Sequence, residues 1–313
     1  MTVLASGSRG NSTIVSSTKT RILVDAGLSC RELMKRMRAA EEDPETLDAI
    51  LITHEHQDHV QGLAVTARKL GIPVYFTEPT HRAWMRWMTP RRRMTYAEWL
   101  EQRKQQAAQA ATPVPTMENG EPGREEVEAV QEQIQEQPSE PGRDPSALPG
   151  VEYFHSGRGF CIGDISITPF TIPHDAVDPV GFVFETAGVR IGFATDLGYM
   201  ASNIVMHLRR CDVLMLESNH DLDMLRDGPY PWSVKQRVLS RVGHLSNDAA
   251  AEFLEKNYDG GAAYVVLAHL SESNNLPELA RVSAERALRS RMSLLANKLL
   301  LAGQDAPMES IRL

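Results

Sequence analysis

Short apolar runs recur along this chain, and several stop on a polar residue able to do chemistry. Met1–Ala5, Ala49–Ile52, Ile72–Phe76, Ile165–Ile172, Val213–Leu216 and Ala263–Ala268 are too short for core helices. Bounded by Gly, Pro, Asp or His, they predict strands. Ser12–Ser17 and Arg21–Asp25 pair around Thr18-Lys19-Thr20, and Gly181–Glu185 with Val189–Ala194 reads as a hairpin. Helical spacing appears in Ser29–Ala40, which places Leu33, Met34 and Met37 on one face. Ser29 with Glu32 three residues later predicts a capping box. Further helices are expected over Val60–Leu70, Pro79–Met88, Asn203–Arg210, Asp248–Asn257 and Leu276–Met292. Two last short strands are expected near Lys298–Ala302 and Ser310–Leu313. Strands alternating with helices predict an α/β chain whose sheets are covered by helices.

Composition changes this picture in one place. Thr95–Gly150 is rich in Gln, Glu, Pro and Ala. It holds 11 Asp/Glu against 4 Lys/Arg, a net −7 within a chain of net −8. So polar a segment does not bury enough surface to fold alone. The expectation is one domain from residues 1–94 and 151–313, with 95–150 a flexible acidic insertion and a transient helix over Tyr96–Ala111. Just before it stand Arg82, Arg86, Arg91, Arg92 and Arg93. They either touch a phosphate backbone or balance the acidic insertion. A net acidic chain does not suit a general nucleic-acid coat. Cys30, Cys161 and Cys211 are scattered, without metal-knuckle spacing, which predicts free thiols in a reducing compartment. The start lacks a basic, apolar leader, and no apolar run approaches the length of a membrane span. A soluble, cytoplasmic protein is expected.

The chemistry concentrates in Thr53-His54-Glu55-His56-Gln57-Asp58-His59, where three of the chain's ten histidines follow a buried strand. His54 and His56, two apart, point the same way from an extended segment. Asp58 and His59 follow the bend and point to a second spot nearby, as a pair of adjacent metals requires. Imidazole and carboxylate suit zinc, manganese or iron. Other strand ends deliver His174, Asp196 and His269. A lone histidine at a strand end is usually a cap or a satisfied core residue; several such ends in one chain reverse that expectation. Asp25 ends a strand before Ala26-Gly27, either as a helix cap or as the partner that orients a metal-ligand histidine. Ser6-Gly7-Ser8-Arg9-Gly10-Asn11 predicts a tight loop with open backbone amides. Ser6, Ser8 and Asn11 are candidates to touch a substrate phosphate, with Arg86 and Arg91–Arg93 beside them.

The pattern H-x-H-x-D-H resembles the signature of the metallo-β-lactamase fold hydrolases. That resemblance implies an αββα sandwich of two mixed sheets with the metals at one edge. It implies that His54, His56 and His174 hold one ion, that Asp58, His59 and His269 hold a second, and that Asp196 bridges them. Asp25 would orient a ligand histidine, and Asp58 would also orient the nucleophile. Two divalent ions about 3.5–4 Å apart acidify a shared water toward neutrality. No cysteine stands at a ligand strand end, so the set resembles the phosphodiesterase and nuclease branches. Glu217-Ser218-Asn219-His220 and Gly243-His244-Leu245-Ser246 resemble the spacing in transfer-RNA-maturing phosphodiesterases. By that match Glu217 keeps His244 protonated as the general acid. His220 would contact a substrate phosphate or support a ligand. With Ala5–Ser12 and His174-Asp175-Ala176, these motifs resemble the WalJ/YycJ group of bacterial exonucleases acting on DNA. The expected activity is therefore a metal-dependent DNA exonuclease with two ions, zinc or manganese or else iron, and DNA as its partner. A small cyclic phosphodiesterase is the same-class alternative, and a metal-loaded regulatory protein acting through the insertion the different-class one.

Overall fold

The apolar runs end up in two sheets. A computed structural model describes residues 1–89, 101, 144–289 and 298–313. Met1–Trp87 and Ser146–Leu313 form one compact unit, and Met88–Pro145 fall outside it. In the first sheet β1 (Thr2–Ala5), β2 (Ser12–Ser16), β3 (Arg21–Val24), β4 (Ala49–Leu51), β5 (Val74–Phe76) and β6 (Val151–Tyr153) follow in order. β1 to β3 pair antiparallel and β3 to β6 parallel. The second sheet holds β7 (Phe160–Ile162), β8 (Ile165–Thr171), β9 (Val180–Thr186), β10 (Val189–Ala194), β11 (Val213–Glu217), β12 (Tyr264–Ala268) and β13 (Lys298–Leu301), again in order. β7 to β10 pair antiparallel and β10 to β13 parallel.

Alternation along the strands sorts side chains into two cores. Val213 and Met215 of β11, and Val266 and Ala268 of β12, enter the layer between the sheets. They meet Val15, Ile22, Val24 and Leu51 of the first sheet there. Leu214, Leu216, Val265 and Leu267 face the other way, onto helices. The helices are α1 (Cys30–Ala39), α2 (Gln57–Val60), α3 (Leu63–Leu70), α4 (Glu78–Met88), α5 (Ser202–His207), α6 (Leu222–Asp227), α7 (Trp232–Val238), α8 (Asn247–Lys256) and α9 (Pro277–Leu288). Phe253 and Leu254 of α8 and Ala280, Ala284 and Leu288 of α9 close the outer core. Each fully buried large apolar side chain contributes about 1.5–3 kcal/mol.

The structure departs from the sequence expectations at particular points. The expected helix Val60–Leu70 starts earlier, at Gln57, and is broken at Gly62. There Gly62 N donates to Ala26 O at 2.8 Å and Asp58 O accepts from Asn11 N, so the helical bond between them is not made; the approach needs glycine, since a Cβ would lie 2.0 Å from the Leu28 carbonyl oxygen. The α1 capping box is half made. Ser29 Oγ accepts from Glu32 N at 3.3 Å, but the Glu32 carboxylate turns to Arg36 and Lys35. Ser310–Leu313 is not a strand, although Met1 and Ile311 exchange hydrogen bonds. Ser146–Gly150 already belong to the compact unit, where Ala147 O accepts from Arg68 and Gly150 O from Val74. Arg91, Arg92, Arg93, the expected helix over Tyr96–Ala111 and positions 290–292 lie outside the described residues, Glu101 apart. Among the described residues, no helix is long and apolar enough to cross a membrane.

Candidate metal centre

The parallel strands β3 and β4, like β10, β11 and β12, end on one edge of the sandwich, where open α/β sheets place their chemistry. β3 leads into Asp25, β4 into Thr53–His59, β10 into Asp196, β11 ends on Glu217 and β12 leads into His269. Asp25, Asp196 and His269 all have left-handed backbone, with φ of 60°, 61° and 55°. That conformation costs a residue with a Cβ about 1–2 kcal/mol. It is held here because the surrounding network over-determines each residue.

Thr53 is the hub of that network. Its amide and hydroxyl both donate to Asp25, at 2.9 Å each. The same hydroxyl oxygen accepts from His54 Nδ1 at 3.0 Å. His59 Nδ1 donates to Asp25 Oδ2 at 2.8 Å, His174 Nδ1 to Gly243 O at 3.2 Å, and His269 Nδ1 to Glu217 Oε1 at 2.9 Å. Four imidazoles thus have the Nδ1 proton fixed by a protein acceptor, which leaves each Nε2 lone pair to face the site. His54, His56 and His174 bring ligand atoms within 4.8 Å of one another, and so do Asp58, His59, Asp196 and His269. His54 Nε2, His269 Nε2 and Asp196 Oδ2 are buried without any hydrogen-bond partner. Buried polar atoms are rarely left that way, so these three orphans fit a bound cation. The donor set of imidazoles and carboxylates suits a metal ion.

The charges agree. Burial pushes Asp58 and Asp196 up, but His59 against Asp58 and His269 with His59 against Asp196 hold both well below the carboxylate range. Burial and the neighbouring His59 keep His54 neutral. His59 and His269 are raised well above the usual value: burial opposes their charge, but the surrounding carboxylates outweigh it. A cation entering here displaces those protons.

Beside the ligands, Glu217 is fully buried and ionised. Burial alone would raise its pKa; His244 and His269 bring it to about 2. Its Oε1 accepts from His244 Nδ1 at 2.8 Å as well as from His269. Its Oε2 accepts from Leu197 N at 2.7 Å and Leu245 N at 3.3 Å. Asp196, Glu217, His244 and His269 form a third convergent group, joining this pair to the ligand cluster. The grip of Glu217 on His269 was not foreseen, nor was the role of Thr53.

The other expected contacts divide. Asn11 reaches the site: its Nδ2 lies 3.0 Å from Asp58 Oδ2 and 3.1 Å from His59 Nε2. Ser6 lies buried inside the fold. Its Oγ accepts from His269 N at 2.8 Å, so it holds the backbone at His269. Ser8 is exposed. Arg86 is exposed and lines a groove with Glu78, Pro79, Arg82 and Val177. His220 is only 1% exposed, and both its ring nitrogens lack partners. Burial lowers its pKa to about 4. It is a neutral interior group.

Two mixed sheets face to face, with a metal-capable edge of histidines and carboxylates, define a metal-dependent hydrolase of the αββα sandwich class. The chain belongs to the metallo-beta-lactamase superfamily, whose match spans residues 5–269. It is similar to the protein named exodeoxyribonuclease WalJ of Streptococcus pneumoniae serotype 2 (strain D39 / NCTC 7466). The two are 33% identical over 281 residues, which is 90% of this chain and 85% of the relative. It is also similar to the protein named exodeoxyribonuclease YycJ of Bacillus anthracis, 32% identical over 289 residues, 92% of this chain and 89% of that one. Among solved structures, the metallo-beta-lactamase fold protein YhfI of Bacillus subtilis aligns over 99% of both chains with a TM-score of 0.60. Its identity is 15%, so that likeness speaks for the fold.

Proposed function

We propose that this chain is a metal-dependent DNA exonuclease with a dinuclear site. The observation that carries the reading is the junction at Asp196 and His269, shared between the ligand cluster and the Glu217–His244 pair. The names of the similar proteins from Streptococcus pneumoniae and Bacillus anthracis support the substrate. In this reading His54, His56 and His174 hold one divalent ion, and Asp58, His59 and His269 the other, with Asp196 between them. Zinc and manganese are the favoured ions, iron the third choice. When bound, such a pair supplies an acidified water and positive charge beside the phosphate.

The chain's own groups do the rest. Asp58, steadied by Asn11 Nδ2, orients the attacking water. Glu217 Oε1 holds the Nδ1–H of His244 and so turns Nε2 toward the site, where Nε2–H can hand its proton to the leaving oxygen. Asp25 and Thr53 fix the rings of His59 and His54. Arg86 offers positive charge to the strand backbone. The acidic insertion, taken as residues 95–143, is dispensable for chemistry. Free Cys30, Cys161 and Cys211 support a reducing, cytoplasmic setting.

The test is end-labelled linear duplex and single-stranded DNA, incubated with the protein and a panel of divalent metals. Stepwise release of nucleotides from an end, only with metal, is expected. Intact DNA under every metal, with turnover of a small cyclic phosphodiester, would replace this reading by the cyclic phosphodiesterase one.

A further inference from the structure

We infer that the segment Leu222–Val242, above all α7 and the turn after it, is a grip for the unpaired end of a DNA strand. This inference rests on the DNA-directed reading above.

Position comes first. The segment stands between Glu217 and His244, and three contacts dock its far end on the site. Gly243 O accepts from His174 Nδ1 at 3.2 Å. Gly198, two residues after Asp196, lies so close that a Cβ there would be 2.3 Å from Arg241 O. The Arg237 guanidinium pairs with Asp175, next to the ligand His174. Whatever binds this segment is therefore at the lip of the metal site.

Its side chains come second. α7 has no buried residue, so it does nothing for the core. Trp232 is 65% exposed. An indole is a poor residue to leave in water unless something covers it. Pro231–Val242 carries Lys235, Arg237 and Arg241 and no Asp or Glu, although the whole chain is net −8. Arg241 lies flat over the Tyr199 ring, 4.4 Å from its centroid.

An exposed indole beside cations, with the half-buried Tyr199 ring under Arg241, matches one class of ligand well. Cations follow a phosphate backbone, and rings stack on bases. A duplex hides its base faces in the stack; an unpaired end offers them. The local positive charge favours that polyanion over a second copy, because a two-fold contact through this face would set Lys235 and Arg241 against their own counterparts.

The experiment uses the full-length, metal-loaded protein and its Trp232→Ala and Trp232→Tyr variants. Binding to a fluorescent single-stranded oligonucleotide is measured alongside turnover of labelled DNA and of bis(p-nitrophenyl) phosphate. Loss of one stacking ring weakens single-strand binding about 5- to 150-fold. KM for DNA should rise in Trp232→Ala, turnover of the small substrate should stay unchanged, and Trp232→Tyr should recover most of the affinity. Unchanged DNA affinity in Trp232→Ala, with wild-type protein cleaving DNA, overturns this inference alone. So does a Trp232→Ala protein that turns from dimer to monomer in sedimentation with its DNA affinity intact, since the face would then belong to a second copy. Wild-type protein that neither binds nor cleaves DNA overturns the proposed function and this inference with it.

Discussion

Replacing Glu217 by glutamine should damage two functions at once, because one carboxylate oxygen serves two imidazoles. Oε1 accepts from His244 Nδ1 and from His269 Nδ1, while Oε2 accepts from the amides of Leu197 and Leu245. A glutamine offers one oxygen and one NH2 group. If the NH2 faces the imidazoles, both rings must carry their proton on Nε2 instead, and His269 can no longer present a lone pair to an ion. If it faces the amides, two buried donors lose their acceptor, at about 1–3 kcal/mol each. The charge matters as well. A pKa held at about 2, against an ordinary 4.5, corresponds to roughly 3 kcal/mol of favourable interaction with the ionised form. Because the pKa is lowered, that stabilisation is full above pH 4.5 and drains away as the pH falls towards about 2. The variant should therefore melt at lower temperature than wild type near neutrality, with the gap closing in acid. DNA turnover should fall about 10²–10⁴-fold, the usual scale for a lost general acid. Metal per chain should fall too, by elemental analysis. A Glu217→Gln protein with full metal content and wild-type DNA turnover would refute the reasoning.

Asp196→Ala should lose metal and activity together, since its buried carboxylate, with Oδ2 unpartnered, would stand between the two proposed ions; full metal retention by elemental analysis would remove the bridging role. His244→Ala should keep its metal and lose about 10²–10⁴-fold in DNA turnover. A nitrophenyl phosphodiester, whose leaving group needs no proton, should be rescued in that variant; equal loss on both substrates would point to a structural role. Shortening residues 95–143 should leave metal content and nitrophenyl turnover intact, because every proposed ligand lies outside that segment. Removing its negative charge should tighten DNA binding at low salt, with the gain shrinking as salt rises. Weaker DNA binding by a normally folded, shortened protein would make the segment a binding arm instead.

The parts of this molecule that were legible in the sequence are those whose cause is local. His54, His56, Asp58 and His59 lie within one short stretch, and the strands before Asp196, Glu217 and His269 are apolar runs stopped by polar residues. The parts that were not legible depend on distant neighbours. The break between α2 and α3 comes from Gly62 N bonding Ala26 O while Asp58 O is taken by Asn11 N. Ser6 looks like a loop residue with an open hydroxyl until it meets His269 N, 263 positions away. α7 escaped notice for a different reason: it buries nothing, so no apolar period marks it. Near Ser310–Leu313 the alternating residues lie beside β1 without forming a ladder.

The ends of the chain interlock behind the site, and that governs when activity can exist during synthesis. Met1 N donates to Ile311 O, Ser6 holds His269, and Gln304 accepts from Arg9 N while donating to Gly10 O. A chain still on the ribosome has made the histidine motif long before it has made His269 or its supports. Synthesis proceeds at about 5–20 residues per second, so the gap between Asp58 and His269 lasts on the order of ten seconds or more. During that time the nascent chain has imidazoles but no complete cage. Under the proposed ligand set, truncated products that end before His269 should be inert. By the same set, DNA cutting begins only after β12 has been made and His269 has docked on Ser6.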